Sequence, residues 1–506
     1  MFVVVVTSIC SFVMALFLVP LLAKLANRIG LVDRPDDKRK LHETAVPMVG
    51  GLALFFTVAV IAPVAIYLGY AHQPLFVSFG EYLFAWIPVN FGRRLIRIQP
   101  DDVKELIGLL AGSLVLVGVG VWDDWKGLRG RQKLFGQIVA TTVLILFGYH
   151  FNEIAMAGYH FKFEIFSIFF VYAWVIAAIN SVNLLDGADG IAGTIGIIMS
   201  LALTSMAIYQ GEILNAIITI SIAGALCGFL RYNFPPAKVY LGDTGSMLIG
   251  FLLAAMAIRC TFKQSSAFAF FAPVAFLAIP FIDTAAAIIR RRLTGRSIFA
   301  VDRGHLHHSL MKRGYSPRTS LLWVALLSAM TAVGGILSVV NQQSEYAIVS
   351  IGLVVIVMLS CRIFGLAEYQ LVSKKASSVA KSLLKMNGDG VQQSSVHVQG
   401  SRDWQQTWDV LCQFAEEVKL IGITLDVNAP WLHESFHATR KHGEKVGNDG
   451  HGWTADVPLI TKGRRFGKIE IVGDGKLDHH RILNGILEIG RSIEASMSEN
   501  AESSAA

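Results

Sequence analysis

Charge is scarce in this sequence. Of its 506 residues only 16% are Asp, Glu, Lys or Arg, against about 25% in an ordinary soluble domain. With 53% hydrophobic residues and a mean hydropathy of +0.53, that shortage excludes an ordinary cytosolic protein and a disordered chain. Cysteine is scarce as well. Cys10, Cys227, Cys260, Cys361 and Cys412 show neither paired nor metal-ligand spacing, which excludes a disulfide-stapled secreted module. Four of them lie in or beside apolar runs, where cysteine behaves as a small hydrophobe. No basic residue precedes the first apolar run and no small-x-small cleavage site follows it, so that run reads as a membrane span and not as a signal peptide. What remains is a polytopic membrane protein.

Long apolar runs are what the sequence has in abundance, as far as Phe364. At about 20 residues per crossing, the pattern predicts roughly eleven spans. They fall near 2–23, 49–70, 104–121, 134–150, 164–181, 191–209, 213–230, 245–260, 266–289, 320–340 and 345–364. Lys24 and Arg28 follow the first span, which places the N-terminus outside and the first loop in the cytoplasm. Alternate loops bear this out by charge. Those assigned inside hold 20 Lys and Arg, those assigned outside only 7. The net charge of +7 therefore belongs to loop topology, and no nucleic-acid partner is implied. The outer segment 71–103 is partly apolar and fits an interfacial position. An odd number of spans puts the C-terminal region in the cytoplasm.

The unusual polar residues gather in the five inside loops. The first is GLVDRPDDKRKLHETAVPMVGG, the second DDWKGLRGRQK, the third NSVNLLDGADGIAG, the fourth NFPPAKVYLGDTGSM and the fifth IFAVDRGHLHHSLMKRG. Polar and ionisable groups at the hydrocarbon boundary are costly and mark function. Each also has a plainer reading. The adjacent Asp123 and Asp124 suit metal-phosphate chemistry or proton removal from an acceptor, and equally a solvated helix end. Asn183, Asp186 and Asp189 recur every three residues, which puts them on one side of a helix end, or makes a cap followed by glycine turns. Asp243 opens a span in a Gly-Asp-x-Gly turn, as a cap or as a hard oxygen ligand for magnesium. His305, His307 and His308 suggest zinc, but no cysteine accompanies them and Arg303 beside them argues for an anion. The run Arg290 to Arg292 reads as a positive-inside stop. Jointly the set fits phosphoryl transfer, with fixed cations for phosphate oxygens and an oriented nucleophile.

The segments VDRPDDKRKLHETAVPMVGG, DDWKGL with Lys133 and Gln137, NSVNLLDGADGIAG, VYLGDTGSMLIGF and VDRGHLHHSLMKRG resemble those of the polyprenyl-phosphate N-acetylhexosamine-1-phosphate transferases, in unbroken order over residues 1 to about 365. The resemblance implies transfer of a sugar-1-phosphate from a UDP-sugar to undecaprenyl phosphate, with release of UMP. It implies a Mg2+ cofactor, with Mn2+ able to serve in its place, a bacterial inner-membrane location, and the first membrane step of a cell-envelope polysaccharide pathway. The DRGHLHH form, in which Leu306 interrupts the histidine run, is similar to the WecA/TagO branch that uses UDP-N-acetylglucosamine. A related acetylated amino sugar stays open.

By the same resemblance, Asp243 and Asn183 hold magnesium against the diphosphate. Asp123 or Asp124 binds and deprotonates the lipid phosphate. Asp186, Asp189, Asn233 and Tyr240 line the uridine pocket with Asn180 nearby, and Lys133 meets phosphate. Arg303, His305, His307 and His308 grip the diphosphate or sugar. Asp33, Lys40 and His42 match the first-loop pattern. A homodimer is compatible with the resemblance.

Beyond residue 365 the composition changes. Residues 366–401 are rich in Ser, Lys and Gln and read as a helix fraying into a linker. Within 402–506, Trp404, Trp408, Leu411, Ala415 and Val418 keep helical spacing, and Ile421, Ile423, Leu425 and Val427 alternate as a strand. A strand at Lys468 to Val472 and a helix through Ile482, Leu483, Ile486, Leu487 and Ile493 follow. A small cytoplasmic α+β domain results, read as a regulatory or partner-docking module whose ligand or partner is unknown, and loosely similar in pattern to ligand-sensing folds such as GAF. Its His433-Glu434-Ser435-Phe436-His437 is literally H-E-x-x-H, but no third-ligand spacing follows, so a surface helix or loop is the better reading. Two other functions compete with the transferase. A transporter of a phosphorylated or amino-sugar solute would place ionisable groups near the membrane midplane, where only Asp283 approaches. A membrane-tethered sensor would need far fewer spans.

Overall fold

The computed structural model describes residues 1–33, 45–72, 98–150, 153–156, 159–162, 164–262, 268–293, 304–361, 392–399, 404–429, 434–441, 452–461, 464–475 and 479–503. They fall into two compact units, one built from the membrane helices and one from the C-terminal region together with residues 287–293 and 304.

The membrane unit is helical. Helix α1 (Phe2–Ile29) is followed by a two-residue ladder, β1 (Val32–Asp33) with β2 (Val46–Pro47). Then come α2 (Gly50–Ala71), α3 (Pro100–Lys126) and α4 (Gly130–Leu146), and a hairpin of β3 (Glu153–Met156) and β4 (Tyr159–Lys162). Next are α5 (Glu164–Leu185), α6 (Ile191–Gln210), α7 (Ile213–Asn233) and α8 (Gly242–Ala257), which ends in a π-turn at Ile258–Phe262. Helices α9 (Phe268–Phe276) and α10 (Ala278–Leu293), the short α11 (Leu306–Lys312), α12 (Pro317–Val340) and α13 (Glu345–Ser360) complete it.

Among the described residues eight helices are long and apolar enough to cross a membrane, and the chain is a multi-pass membrane protein. The expected count of eleven included three further segments. One is the 17-residue α4, one is the pair α9 and α10 broken at Leu277, and one is the 16-residue α13. At 1.5 Å per residue the first and last reach about 25 Å, at the lower limit for crossing a hydrocarbon core of roughly 30 Å. The expected interfacial segment 71–103 lies largely outside the described residues.

Helix α8 is the hub. Every residue from Thr244 to Ala257 is buried, and α2, α3, α5 and α6 pack around it. Small residues let the backbones approach closely, as is usual between membrane helices. A Cβ on Gly120 would stand 2.4 Å from the Thr244 Cα, and one on Gly51 2.4 Å from the Gly245 nitrogen. Lone hydroxyls pair between helices, as at Ser11–Ser221 (2.9 Å) and Thr204–Thr219 (2.8 Å).

The C-terminal unit is an antiparallel sheet of five strands flanked by two helices. The strands are β5 (Gln392–Gln399), β6 (Gly422–Ala429), β7 (Glu434–Lys441), β8 (Gly452–Thr461) and β9 (Arg464–Asp474), in the order β5-β7-β6-β9-β8. Helix α14 (Trp404–Glu417) precedes β6 and α15 (His479–Ser503) follows β9. Alternation divides the sheet's faces. Ile423, Leu425, Val427, Phe436, Ala438, Ile469 and Ile471 are buried in one core with Trp404, Trp408, Leu411, Ile482 and Ile486, whereas Thr424, Asp426, Thr439, Lys468 and Glu470 are only half-buried.

Two expectations change here. The stretch assigned to a linker ends in β5, a full strand of the sheet. The residues after His433 form β7 and not a surface helix or loop. His437, the second histidine of the pattern, stands in that strand, so the helix that a zinc-protease motif requires is not formed. His437 instead lies 3.4 Å from Asp426 across the sheet.

Candidate active site

Four helix ends and two loops meet at one end of the membrane unit. The last turn of α3 carries Asp123 and Asp124, the first turn of α4 Lys133, the last turns of α5 Asn180 and Asn183, and the first turn of α8 Asp243. Lys133 forms ion pairs with both Asp123 and Asp243. Asn183 donates from Nδ2 to Asp243 Oδ1 and to Ser246 Oγ, each at 2.8 Å. The 110-residue separation of Lys133 and Asp243 is thus closed by an ammonium between two carboxylates.

Asp123 and Asp124 are adjacent but differently engaged. Asp123 is buried, with 7% exposure. It accepts from the Leu128 backbone and faces Lys133. Asp124 accepts from the backbone N–H of Asp243 (2.8 Å), the backbone N–H of Thr244 (3.1 Å) and the Thr244 hydroxyl (2.6 Å). Those N–H groups belong to the first turn of α8 and have no partner within their own helix. Asp124 therefore caps α8 from a different helix, and the negative charge lies favourably at that helix's N-terminal dipole. Gly242 makes the approach feasible. Its φ is +72°, and a Cβ there would stand 2.5 Å from Asp124 Oδ2.

The loops close the site's flank. Asn233 accepts from Gly190 N–H and donates to the Val239 carbonyl, both at 2.9 Å. Asp189 accepts from Ala237 N–H at 2.9 Å. These two side chains tie the 186–190 turn to the 233–240 loop. The 46–51 segment joins them through Tyr240 N–H to Pro47 O (2.8 Å) and Gly50 N–H to Tyr240 O (3.1 Å). Asn180 and Gln137 exchange amide hydrogen bonds at 2.7 and 3.3 Å, locking α4 to α5. Asp186 has its carboxyl pushed well above the usual range, chiefly by burial and then by the charges of Asp243, Asp124 and Asp189. Burial also raises the Tyr240 phenol.

His307 of α11 reaches the same loop. A Cβ on Gly187 would meet the His307 ring at 2.8 Å. His307 is 1% exposed, and neither ring nitrogen has a hydrogen-bond partner among the described residues. Burial, then the neighbouring His308 and His305, hold it well below the usual imidazole range, so it is neutral. Its ring lies 4.2 Å from that of His308 and parallel to that of His305 at 6.1 Å.

The structure thus gathers Asp123, Asp124, Lys133, Asn180, Asn183, Asp186, Asp189, Asn233, Tyr240 and Asp243, with His307 against their flank. Asp33 sits in β1, while Lys40, His42 and Arg303 lie outside the described residues. Sequence reasoning passed over Thr244 and Ser246, which hold Asp124 and Asn183. Their signal was hydroxyls one and three residues after Asp243, at positions where a helix start needs polar partners.

A multi-pass membrane protein with carboxylates, amides and a lysine converging at one end of its helices is the class that fold and site define. The sequence profile of glycosyl transferase family 4 matches residues 106–261. The chain is 30% identical over 355 residues to the decaprenyl-phosphate N-acetylglucosaminephosphotransferase of Mycobacterium tuberculosis, covering 66% of this chain and 81% of that one. It is 26% identical over 324 residues to the undecaprenyl-phosphate alpha-N-acetylglucosaminyl 1-phosphate transferase of Escherichia coli K12, covering 62% and 78%. The chain belongs to glycosyl transferase family 4.

Proposed function

We propose that this protein transfers N-acetylglucosamine-1-phosphate, or a related N-acetylhexosamine-1-phosphate, from a UDP-sugar to undecaprenyl phosphate at the cytoplasmic membrane face, releasing UMP. The observation that carries the reading is the Asp123–Lys133–Asp243 cluster at the end of the membrane helices, together with the activity named for its relatives. An oxygen of the lipid phosphate attacks the phosphorus that bears the sugar. A new P–O–P bridge forms, the old bridge breaks, and its oxygen leaves with UMP. The sugar keeps its bond to phosphate throughout.

Asp123 is the group suited to take a proton from the lipid phosphate. Its carboxylate faces the lysine, while that of Asp124 is engaged in capping α8. Lys133 balances charge as phosphates enter. Asp186 and Tyr240 face the uridine, and Asp189 and Asn233 hold the loops that shape its pocket. The histidines of α11 line the sugar-diphosphate side.

The donor set fits magnesium or manganese. The groups are hard oxygens, and Asp123 and Asp243 already hold one cation, the Lys133 ammonium, between them. Among the described residues no three His, Cys, Asp or Glu side chains form a complete cage. That suits an ion held by one or two protein ligands plus substrate phosphate and water. Asp243 and Asn183 are the residues that would hold it, and the bound ion would neutralise charge on the diphosphate.

The site's polar groups lie at one end of the helices and the Arg259–Asp102–Glu105 cluster at the opposite end, not at their middles, which favours this reading over a solute transporter. Purified protein, undecaprenyl phosphate, magnesium and a panel of UDP-sugars, scored by UMP release, test it. Release with UDP-N-acetylglucosamine and none without the lipid is the expected result; no UMP release with any UDP-sugar, or release that does not need the lipid phosphate, would defeat the reading.

A further inference from the structure

Asp283 is a carboxylate with no part in the chemistry described so far. It lies in α10, 1% exposed, in the stretch AIPFIDTAAAII, where the one other polar side chain is Thr284. Such a residue inside a membrane protein is costly unless it is fully partnered. Both its oxygens are engaged by the start of α11. Oδ1 accepts from the backbone N–H of Leu306 at 2.8 Å, and Oδ2 lies 2.7 Å from His305 Nδ1.

The consequence for His305 is specific. A carboxylate is an acceptor only, so the imidazole nitrogen facing it carries the proton. With Nδ1–H committed to Asp283, Nε2 is the nitrogen left for a ligand. The carboxylate fixes the ring's rotamer as well as its tautomer, because the same side chain also holds the backbone of the next residue. His305 itself is buried and is the N-cap residue of α11, which carries His307 and His308 beside it. One carboxylate therefore anchors the turn from which all three rings project.

We propose that Asp283 is a positioning residue for His305, presenting Nε2 of that ring to the sugar-diphosphate donor. The role rests on the transferase reading given above, and acts through a histidine and not on the substrate. It parallels the way Asp124 holds the start of α8. In both cases a carboxylate on one helix captures the first turn of another that carries site residues.

Asp283→Asn is the discriminating change. It is nearly isosteric and keeps an acceptor for Leu306 N–H. Its amide N–H would face His305 Nδ1, which then has to be the unprotonated nitrogen, so the proton moves to Nε2. The expected loss in kcat/KM is on the order of 10²-fold, since an imidazole in the wrong tautomer cannot serve its partner. In a cycle with His305→Ala, the double variant is expected within about two-fold of His305→Ala alone, because both changes remove one interaction. A merely structural Asp283 would instead give losses that multiply. Asp283→Glu, which restores an acceptor-only carboxylate, is expected to recover at least ten-fold over the Asn variant.

Nitrogen-15 NMR of histidine-labelled protein reads the tautomer without reference to activity. The expected signal for His305 is Nδ1–H in the wild type and Nε2–H in Asp283→Asn. An unchanged tautomer, multiplicative losses, or a Glu variant no better than Asn would each overturn the proposal. Wild-type protein that shows the expected tautomers but releases no UMP would defeat the transferase reading while leaving the positioning of His305 intact.

Discussion

The Asp124 carboxylate accepts a hydrogen bond from the backbone N–H of Asp243 at 2.8 Å, so one acidic residue of the site is held in place by another 119 positions earlier. The two carboxylates are not equivalent, and neither are the neighbours Asp123 and Asp124. One member of that pair builds the site and the other faces its cation.

This asymmetry predicts different phenotypes for Asp123→Asn and Asp124→Asn. Loss of a cap with charge-assisted hydrogen bonds costs about 1–3 kcal/mol. Asp124→Asn should therefore melt earlier than wild type as well as lose activity. Asp123→Asn should lose UMP release with little change in melting, and it should still bind UDP-sugar. Thermal unfolding in detergent beside calorimetric titration of nucleotide sugar separates the two. Equal melting shifts for both variants would refute the division of roles.

Asp243→Asn should reduce transfer on the order of 10²-fold or more, the scale expected when one charged group aimed at a phosphoryl site is removed. Chelation of divalent ions should silence the wild type, and added magnesium or manganese should restore it. Near-normal UMP release by the variant at ordinary magnesium would show that Asp243 is not a ligand.

Backbone contact between helices predicts sensitivity at two glycines. A methyl group on Gly120 or Gly51 meets the backbone of Thr244 or Gly245 at 2.4 Å. The neighbour is a main chain and cannot swing aside, so α8 has to shift. Gly120→Ala and Gly51→Ala should each cost about 1–3 kcal/mol and lower turnover by moving Asp243. Gly118→Ala, where a Cβ meets nothing within 4 Å, is the control and should behave as wild type.

Asp186 predicts a pH dependence of nucleotide binding. Burial and the surrounding acids raise its pKa, so its proton is retained to a higher pH than for an ordinary carboxylate. A uracil imide N–H needs an acceptor, so affinity for UMP should rise as pH climbs through that raised pKa and fall below it. Asp186→Asn should bind more weakly at high pH and show a flatter profile. A variant with the slope of the wild type would assign the titration elsewhere.

For the C-terminal unit, two fragments give opposite expectations. Residues 390–506 include β5 and should melt cooperatively. Residues 402–506 leave β7 as a bare edge and should be less stable and prone to associate. Protein ending at Gly365 should still release UMP within a few-fold of the full chain, because every group gathered in the site precedes that residue. Loss of activity in inserted, monodisperse protein would make the C-terminal unit part of the catalytic machinery.

Much of this architecture was legible in the sequence because it is written in local signals. Apolar runs of some 20 residues mark spans, and the spacing of Trp404, Trp408 and Leu411 marks α14. The alternation from Ile423 to Val427 marks β6. Strands β5, β7 and β8 escaped notice. Gln392–Gln399 and Glu434–Lys441 carry few large apolar residues, and they become strands because the sheet supplies their partners.

For the site, the sequence by itself determined which residue types are present and that they stand at the ends of spans, since polar groups at such positions cannot lie idle in hydrocarbon. Only the tertiary structure decided which of them face one another. Adjacent Asp123 and Asp124 look alike in one dimension, but successive side chains on a helix point about 100° apart. One therefore meets Lys133 and the other the first turn of α8. The partners lie more than a hundred residues away for Asp124 and 22 for Asp283. Pairings of that kind depend on how helices cross, which the backbone approach at Gly51 and Gly120 sets and which no local pattern records.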